Sequence, residues 1–155
     1  MMTTILLWSI ILLYSFHFAG HLHNIVANIP NWSSGTTEDM LRYARFYHKG
    51  NNTHYFAPVI FASVIACAVA LVVLWNNNAA VRYLVGTDLL IAVGTLLSVL
   101  TLFRPMNTYF ESEEYEPQKL KMYVKRWLLL NKIRFVFILA GLVVSIMAFY
   151  ACKPQ

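Results

Sequence analysis

The residues best suited to chemistry in this chain stand at the edge of an apolar run. The stretch HFAGHLHNIVANIPNW, residues 17–32, holds three histidines and three asparagines. At 100° per residue, His17, His21, Asn24, Asn28 and Asn31 fall within an arc of about 80°, with Gly20 at its edge. His23 falls well outside that arc. The polar groups therefore form one stripe. Neutral imidazoles both donate and accept hydrogen bonds, and one whose pKa lies near the working pH serves as a general base. A second stripe carries Tyr123, Trp127, Asn131 and Arg134 within about 80°, and Gly141 and Ser145 continue its face. A buried guanidinium flanked by amides can stabilise a developing oxyanion in a dry site.

The elements that carry these stripes follow from composition. The chain has 155 residues, of which 59% are hydrophobic and 12% charged, with a net charge of +5. A soluble domain is about 25% charged, and one this small leaves much of its surface exposed. Lipid is the expected solvent. Four apolar runs are long enough to cross a bilayer: about 4–31, 55–76, 80–103 and 118–152. Backbone groups in lipid must be satisfied within the segment, so each is expected to be a helix. The predicted fold is all-α: a single membrane domain over residues 1–155, an integral membrane antiparallel four-helix bundle. Residues 1–16 lack a basic n-region and a small-residue cleavage motif, so the first run is read as retained.

Basic residues flank the runs and do not form a patch for nucleic acid, which is not expected as a partner. Arg42, Arg45 and Lys49 stand in the first long connection, and Arg104, Lys119, Lys121, Lys125 and Arg126 in the last. Only Arg82 and Lys153 lie on the other side. The charge rule therefore puts loops 32–54 and 104–126 in the cytoplasm and both termini outside. Asn31-Trp32-Ser33 and Asn51-Asn52-Thr53 match the N-glycosylation pattern, and their use would invert that topology. The acidic Glu111, Glu113, Glu114 and Glu116 read as a solvated loop. Cys67 and Cys152 each sit in an apolar run, and no disulfide framework is expected.

Polar side chains on a lipid-facing surface are costly, so both stripes should face the bundle interior. Arg134 lies roughly 10 Å inside its run at 1.5 Å per residue, and His21 lies at a similar depth. The candidate site is an intramembrane pocket opening toward the long loops. His21, His17 and Arg134 are its catalytic candidates. Asn24, Asn28, Asn107, Trp127 and Asn131 are its substrate-binding candidates. The plainer reading of any one asparagine is a hydrogen bond between helices, worth about 0.6 kcal/mol on average. Trp127 alone reads as an interfacial belt residue. The third helix presents Thr87, Gly94, Ser98 and Thr101 on one face, a surface a partner helix could use. Asp88 reads as structural, within reach of a pairing with Arg82.

No dedicated metal site is expected. His17 and His21 at i, i+4 could face one metal, but further ligands would have to come from His48 or His54. One pair on a single helix cannot supply both axial ligands of a haem. The cofactor is left open, with metal or haem through His17 and His21 as the alternative to none.

Pro105-Met106-Asn107 followed by Trp127-x3-Asn131-x2-Arg134 resembles the anthrone-oxygenase-like family of small four-helix integral membrane proteins. Residues 20–30 are also similar to the end of that family's first helix, and the helix spacing fits over nearly the whole chain. The resemblance implies that Asn107, Trp127, Asn131 and Arg134 are recurrent polar positions. It also implies oxidation of an apolar cyclic substrate by molecular oxygen, as some fungal members convert anthrones to anthraquinones, without a dedicated cofactor. The histidines of the first helix have no match in that pattern. Two other functions stay open. One is a non-catalytic binding or transport module for a lipophilic, quinone-like molecule. The other is a structural subunit of a membrane complex. The expected partners are the bilayer and an apolar small molecule, with self-association left open.

Overall fold

The computed structural model describes residues 2–33, 36–49, 53–112 and 115–152. Asn51-Asn52, Glu113, Glu114 and Lys153 lie outside the described residues, as do the side chains of Asn31 and His48. Helix α1 (Met2–His23) runs into a π-helical turn, Asn24–Asn28, and is followed by the short α2 (Pro30–Ser33) and by α3 (Thr37–Lys49). Helices α4 (Thr53–Val73) and α5 (Ala79–Ser98) come next. A second π turn, Val99–Phe103, leads from α5 into α6 (Arg104–Phe110), and α7 (Pro117–Ala151) closes the chain. Four helical spans are long and apolar enough to cross a membrane: Met2–Asn28, His54–Val73, Ala79–Phe110 and Pro117–Ala151. No strand occurs among the described residues.

Each long helix packs mainly on two others. α1 lies against α4 and α7, and α5 lies against the same pair, so the four form a ring. Ring contacts give the direction. Trp8 meets Phe149 at 5.2 Å and Phe18 stacks on Phe135 at 5.2 Å, so α1 and α7 run antiparallel. The turn between α4 and α5 is fixed by Asn78. Its Oδ1 accepts the Val81 N–H at 2.9 Å and so caps α5. Its Nδ2 donates to the Ala151 carbonyl at 3.0 Å, which ties α5 to the end of α7.

Both π turns immediately precede a proline, for a physical reason. A proline ring clashes with the carbonyl four residues back and offers no N–H to it. Widening the turn relieves the clash. Ile29, just before Pro30, donates to the Asn24 carbonyl at 2.8 Å, an i to i−5 bond. Arg104, just before Pro105, donates in the same way to Val99. The third span does not end near residue 103; it continues to Phe110, because the π turn accommodates the proline.

The interior is built in three tiers. One apolar cluster gathers Leu7, Ile10, Tyr14, Cys67, Val85 and Ile138 toward the chain termini. A second gathers Ile29, Phe103, Met106, Phe110, Val124 and Trp127 toward the long connections. Between them, on α1 and α7, lie His17, His21, Asn131 and Arg134, all buried. The first connection is not simply a loop. α3 packs Met40, Leu41 and Tyr43 against the second cluster, and it reaches both α6 and α7. It starts with a capping box: the Thr36 N–H donates to Asp39 Oδ2 at 2.7 Å while Asp39 N–H reaches back to Thr36 Oγ1 at 3.4 Å.

Candidate functional site

The first stripe folds as its spacing implies, with one change of pitch. His17, His21 and Asn24 are buried on one face of α1, and His23 is exposed. The π turn begins at Asn24. Asn28, half-buried, donates from Nδ2 to Asn24 Oδ1 at 2.9 Å, so these two amides bond along the helix. Asn28 also meets Tyr43 of α3. Burial raises the Tyr43 phenol above its ordinary 10.0, and the hydrogen bond with Asn28 works against that rise.

The second stripe forms a relay down α7. Asn107 on α6 accepts the Trp127 indole N–H at 3.3 Å. The Trp127 carbonyl accepts from Asn131 Nδ2 at 2.8 Å. Asn131 Oδ1 accepts from Arg134 Nη2 at 2.9 Å. Both ends of the Asn131 amide are used, which fixes its orientation and holds the guanidinium on α7. Trp127 is buried and not at the bundle surface, with its ring edge-on to Phe103 at 6.4 Å.

The two stripes meet through aromatic rings. The Arg134 guanidinium lies over Phe103 at 4.1 Å and 5.7 Å from the centre of Phe56. Phe56 stacks on His21 at 4.5 Å and touches His17 at 5.7 Å, and the two imidazoles are 5.1 Å apart. Arg134 and both histidines therefore share the Phe56 ring. Cation–π contact is one way to keep an arginine inside lipid. Among the described residues, His17 Nε2 and both His21 ring nitrogens have no hydrogen-bond partner. Burying a polar atom without a partner costs about 1–3 kcal/mol.

Two groups lie elsewhere. His54 is exposed at the start of α4 and does not join the buried pair. No cluster of three or more His, Cys, Asp or Glu side chains able to hold a metal occurs among the described residues. Asp88 does not pair with Arg82. Arg82 bonds the Trp75 carbonyl at 3.3 Å and lies over the Trp75 ring at 5.3 Å. Asp88 is fully buried in the middle of α5, and Tyr14 donates to its backbone carbonyl at 2.8 Å.

Open space adjoins Arg134 on the side of α5. The second apolar cluster lies at the loop end, beneath α3 and α6. A cavity of about 390 Å³ lies between α5 and α7, and of the eight candidate residues only Arg134 lines it. Phe56 and Phe103, which bring the halves of the site together, were not singled out from the sequence. An aromatic facing the interior and one facing lipid look alike in an apolar run.

The family model for anthrone oxygenase matches residues 43–144. The chain belongs to the anthrone oxygenase family. The match covers about two thirds of the chain and takes in Asn107, Trp127, Asn131 and Arg134. In this member of the anthrone oxygenase family, the match begins after α1, so His17, His21, Asn24 and Asn28 lie outside it. No curated protein and no solved structure matches the chain.

Proposed function

We propose that this protein is a membrane oxygenase acting on an apolar cyclic substrate of the anthrone class, with its chemistry in the polar tier between the two apolar clusters. The observation that carries this reading is the pair of buried histidines with unmatched ring nitrogens, sharing Phe56 with a buried arginine. Membership of the anthrone oxygenase family supports the reaction class. A shared fold alone would not.

An anthrone is flat, apolar and a weak carbon acid. In this reading His21 takes the proton from the ring carbon, with His17 beside it. Arg134, held by Asn131, stabilises the negative charge that moves onto the ring oxygen. The electron-rich carbon then bonds to molecular oxygen, and the resulting peroxide recovers the proton. Loss of water leaves the second carbonyl, so anthrone and oxygen give anthraquinone and water. Phe56 packs against both the base and the cation, and a substrate that bridges them displaces its ring.

The test is turnover in membranes, followed by anthraquinone absorbance and oxygen uptake together. His21→Gln and Arg134→Met should each lower turnover by at least a hundredfold while the protein still assembles in the membrane. Unchanged turnover in both would remove the assignment. An optical spectrum and metal analysis of the purified protein separates direct oxygenation from metal-assisted oxygenation.

A further inference from the structure

The cavity between α5 and α7 has an unusual lining. Its walls are Leu90, Ile91, Leu102, Phe103, Leu130 and Phe137, and its cationic group is Arg134. Leu90, Ile133 and Phe137 are exposed on the outer surface of the bundle, which faces lipid. The space therefore reaches from the bilayer inward to a guanidinium that is itself nine-tenths buried. Gly94 lies in the wall, and a Cβ added there meets nothing within 4 Å. Thr95 and Ser98 also line it, but the Ser98 hydroxyl is turned back to the Thr95 carbonyl at 2.7 Å. About 390 Å³ falls within the range of roughly 300–1,000 Å³ usual for small-ligand sites.

We propose that this groove is a lipid-side port, through which a flat apolar molecule enters sideways between α5 and α7 and places an oxygen-bearing edge against Arg134. The lining specifies that ligand: one cation at the inner end and mostly apolar walls, with the Thr87 and Ser98 hydroxyls turned back to carbonyls of their own helix. A phospholipid fits it poorly. Its charged group stays at the membrane surface, whereas Arg134 sits roughly 10 Å inside its run at 1.5 Å per residue. The port rests on the oxygenase reading only for what happens to the ligand after it arrives.

Two glycines of α5 make the test. Gly94 lines the groove and Gly86 does not, yet neither has a neighbour within 4 Å of an added Cβ. The full-length protein in lipid nanodiscs is titrated with alizarin, a hydroxylated anthraquinone whose fluorescence reports binding. Gly94→Phe should weaken binding at least tenfold, and Gly86→Phe should leave it within twofold. Arg134→Met should weaken binding tenfold, with the loss concentrated on hydroxylated over unsubstituted anthraquinone. Equal binding by the Gly94 variant and the native protein would overturn the port. So would a phospholipid that copurifies in the groove and that alizarin does not displace. Binding that is lost in Gly94→Phe, in a native protein that turns over no anthrone, would keep the port and remove the oxygenase reading. Turnover that survives Gly94→Phe would do the reverse.

Discussion

Helix α7 has two neighbours in the ring and meets them in opposite ways. Toward α1 it is sealed. An added Cβ at Gly141 would run into the Tyr14 ring, and Phe18 stacks on Phe135. Toward α5 it is open around Gly94, where the cavity ends at Arg134. Glycine therefore has two uses here. At Gly141 it lets helices approach, as small residues do in membrane packing. At Gly94 it leaves space. The sealed face fixes the register of α1, and so of His17 and His21, against α7. The open face leaves access to the same tier.

The largest expected effect falls on the open face. Arg134→Met should reduce anthrone turnover by a hundred- to a thousandfold, about 2.7–4 kcal/mol of transition-state stabilisation if the guanidinium holds the oxyanion. Turnover of the purified variant reconstituted in lipid checks this. The sealed face comes next. Gly141→Ala should lower stability by about 1–3 kcal/mol, because the Tyr14 ring has to move. Thermal unfolding in detergent measures it, and an unchanged midpoint would mean that this face is not sealed. Tyr14→Phe keeps the ring and removes the bond to the Asp88 carbonyl, and should cost about 1 kcal/mol in the same assay. The same glycine-to-alanine change on the open face has the opposite sign. Gly94→Ala should stabilise by about 0.5–1 kcal/mol, since it gains helix propensity and meets no neighbour.

The smallest effect lies away from both faces and serves as their control. The Thr36 backbone and hydroxyl bonds hold the Asp39 carboxyl below its ordinary 3.8. Its cap on α3 is complete above that value and fades as pH falls through the lowered one. Hydrogen exchange at the Thr36 amide should therefore quicken only in strongly acidic solution, with no change at α1 or α5.

The four spans were legible because lipid forces each into a long apolar run. The face of each stripe was legible as well: His17, His21, Asn131 and Arg134 are all buried, as period 3.6 requires. Three features were not read. α3 is a 13-residue amphipathic helix that opens with a capping box, a signal that a criterion of membrane-spanning length passes over. The π turns leave no mark on hydrophobic periodicity beyond a proline, whose usual meaning is the end of a helix. The groove is a gap between two helices, and periodicity gives faces, not spacing. Thr87, Gly94 and Ser98 did fall on one predicted face, and all three line the cavity. What that face meets depends on how far α7 stands from it.

Each π turn holds one more residue than an α-helical turn would. Wound at the ordinary α pitch, the same residues of Val99–Phe103 would swing everything after them by about 100°. Asn107 would then point away from Trp127, and the relay that ends at Arg134 would lose its first member. The two widened turns thus set rotational phase. They let the helices keep one alignment in the sealed half and another at the loop end, so the polar tier lies where two alignments of the same bundle meet.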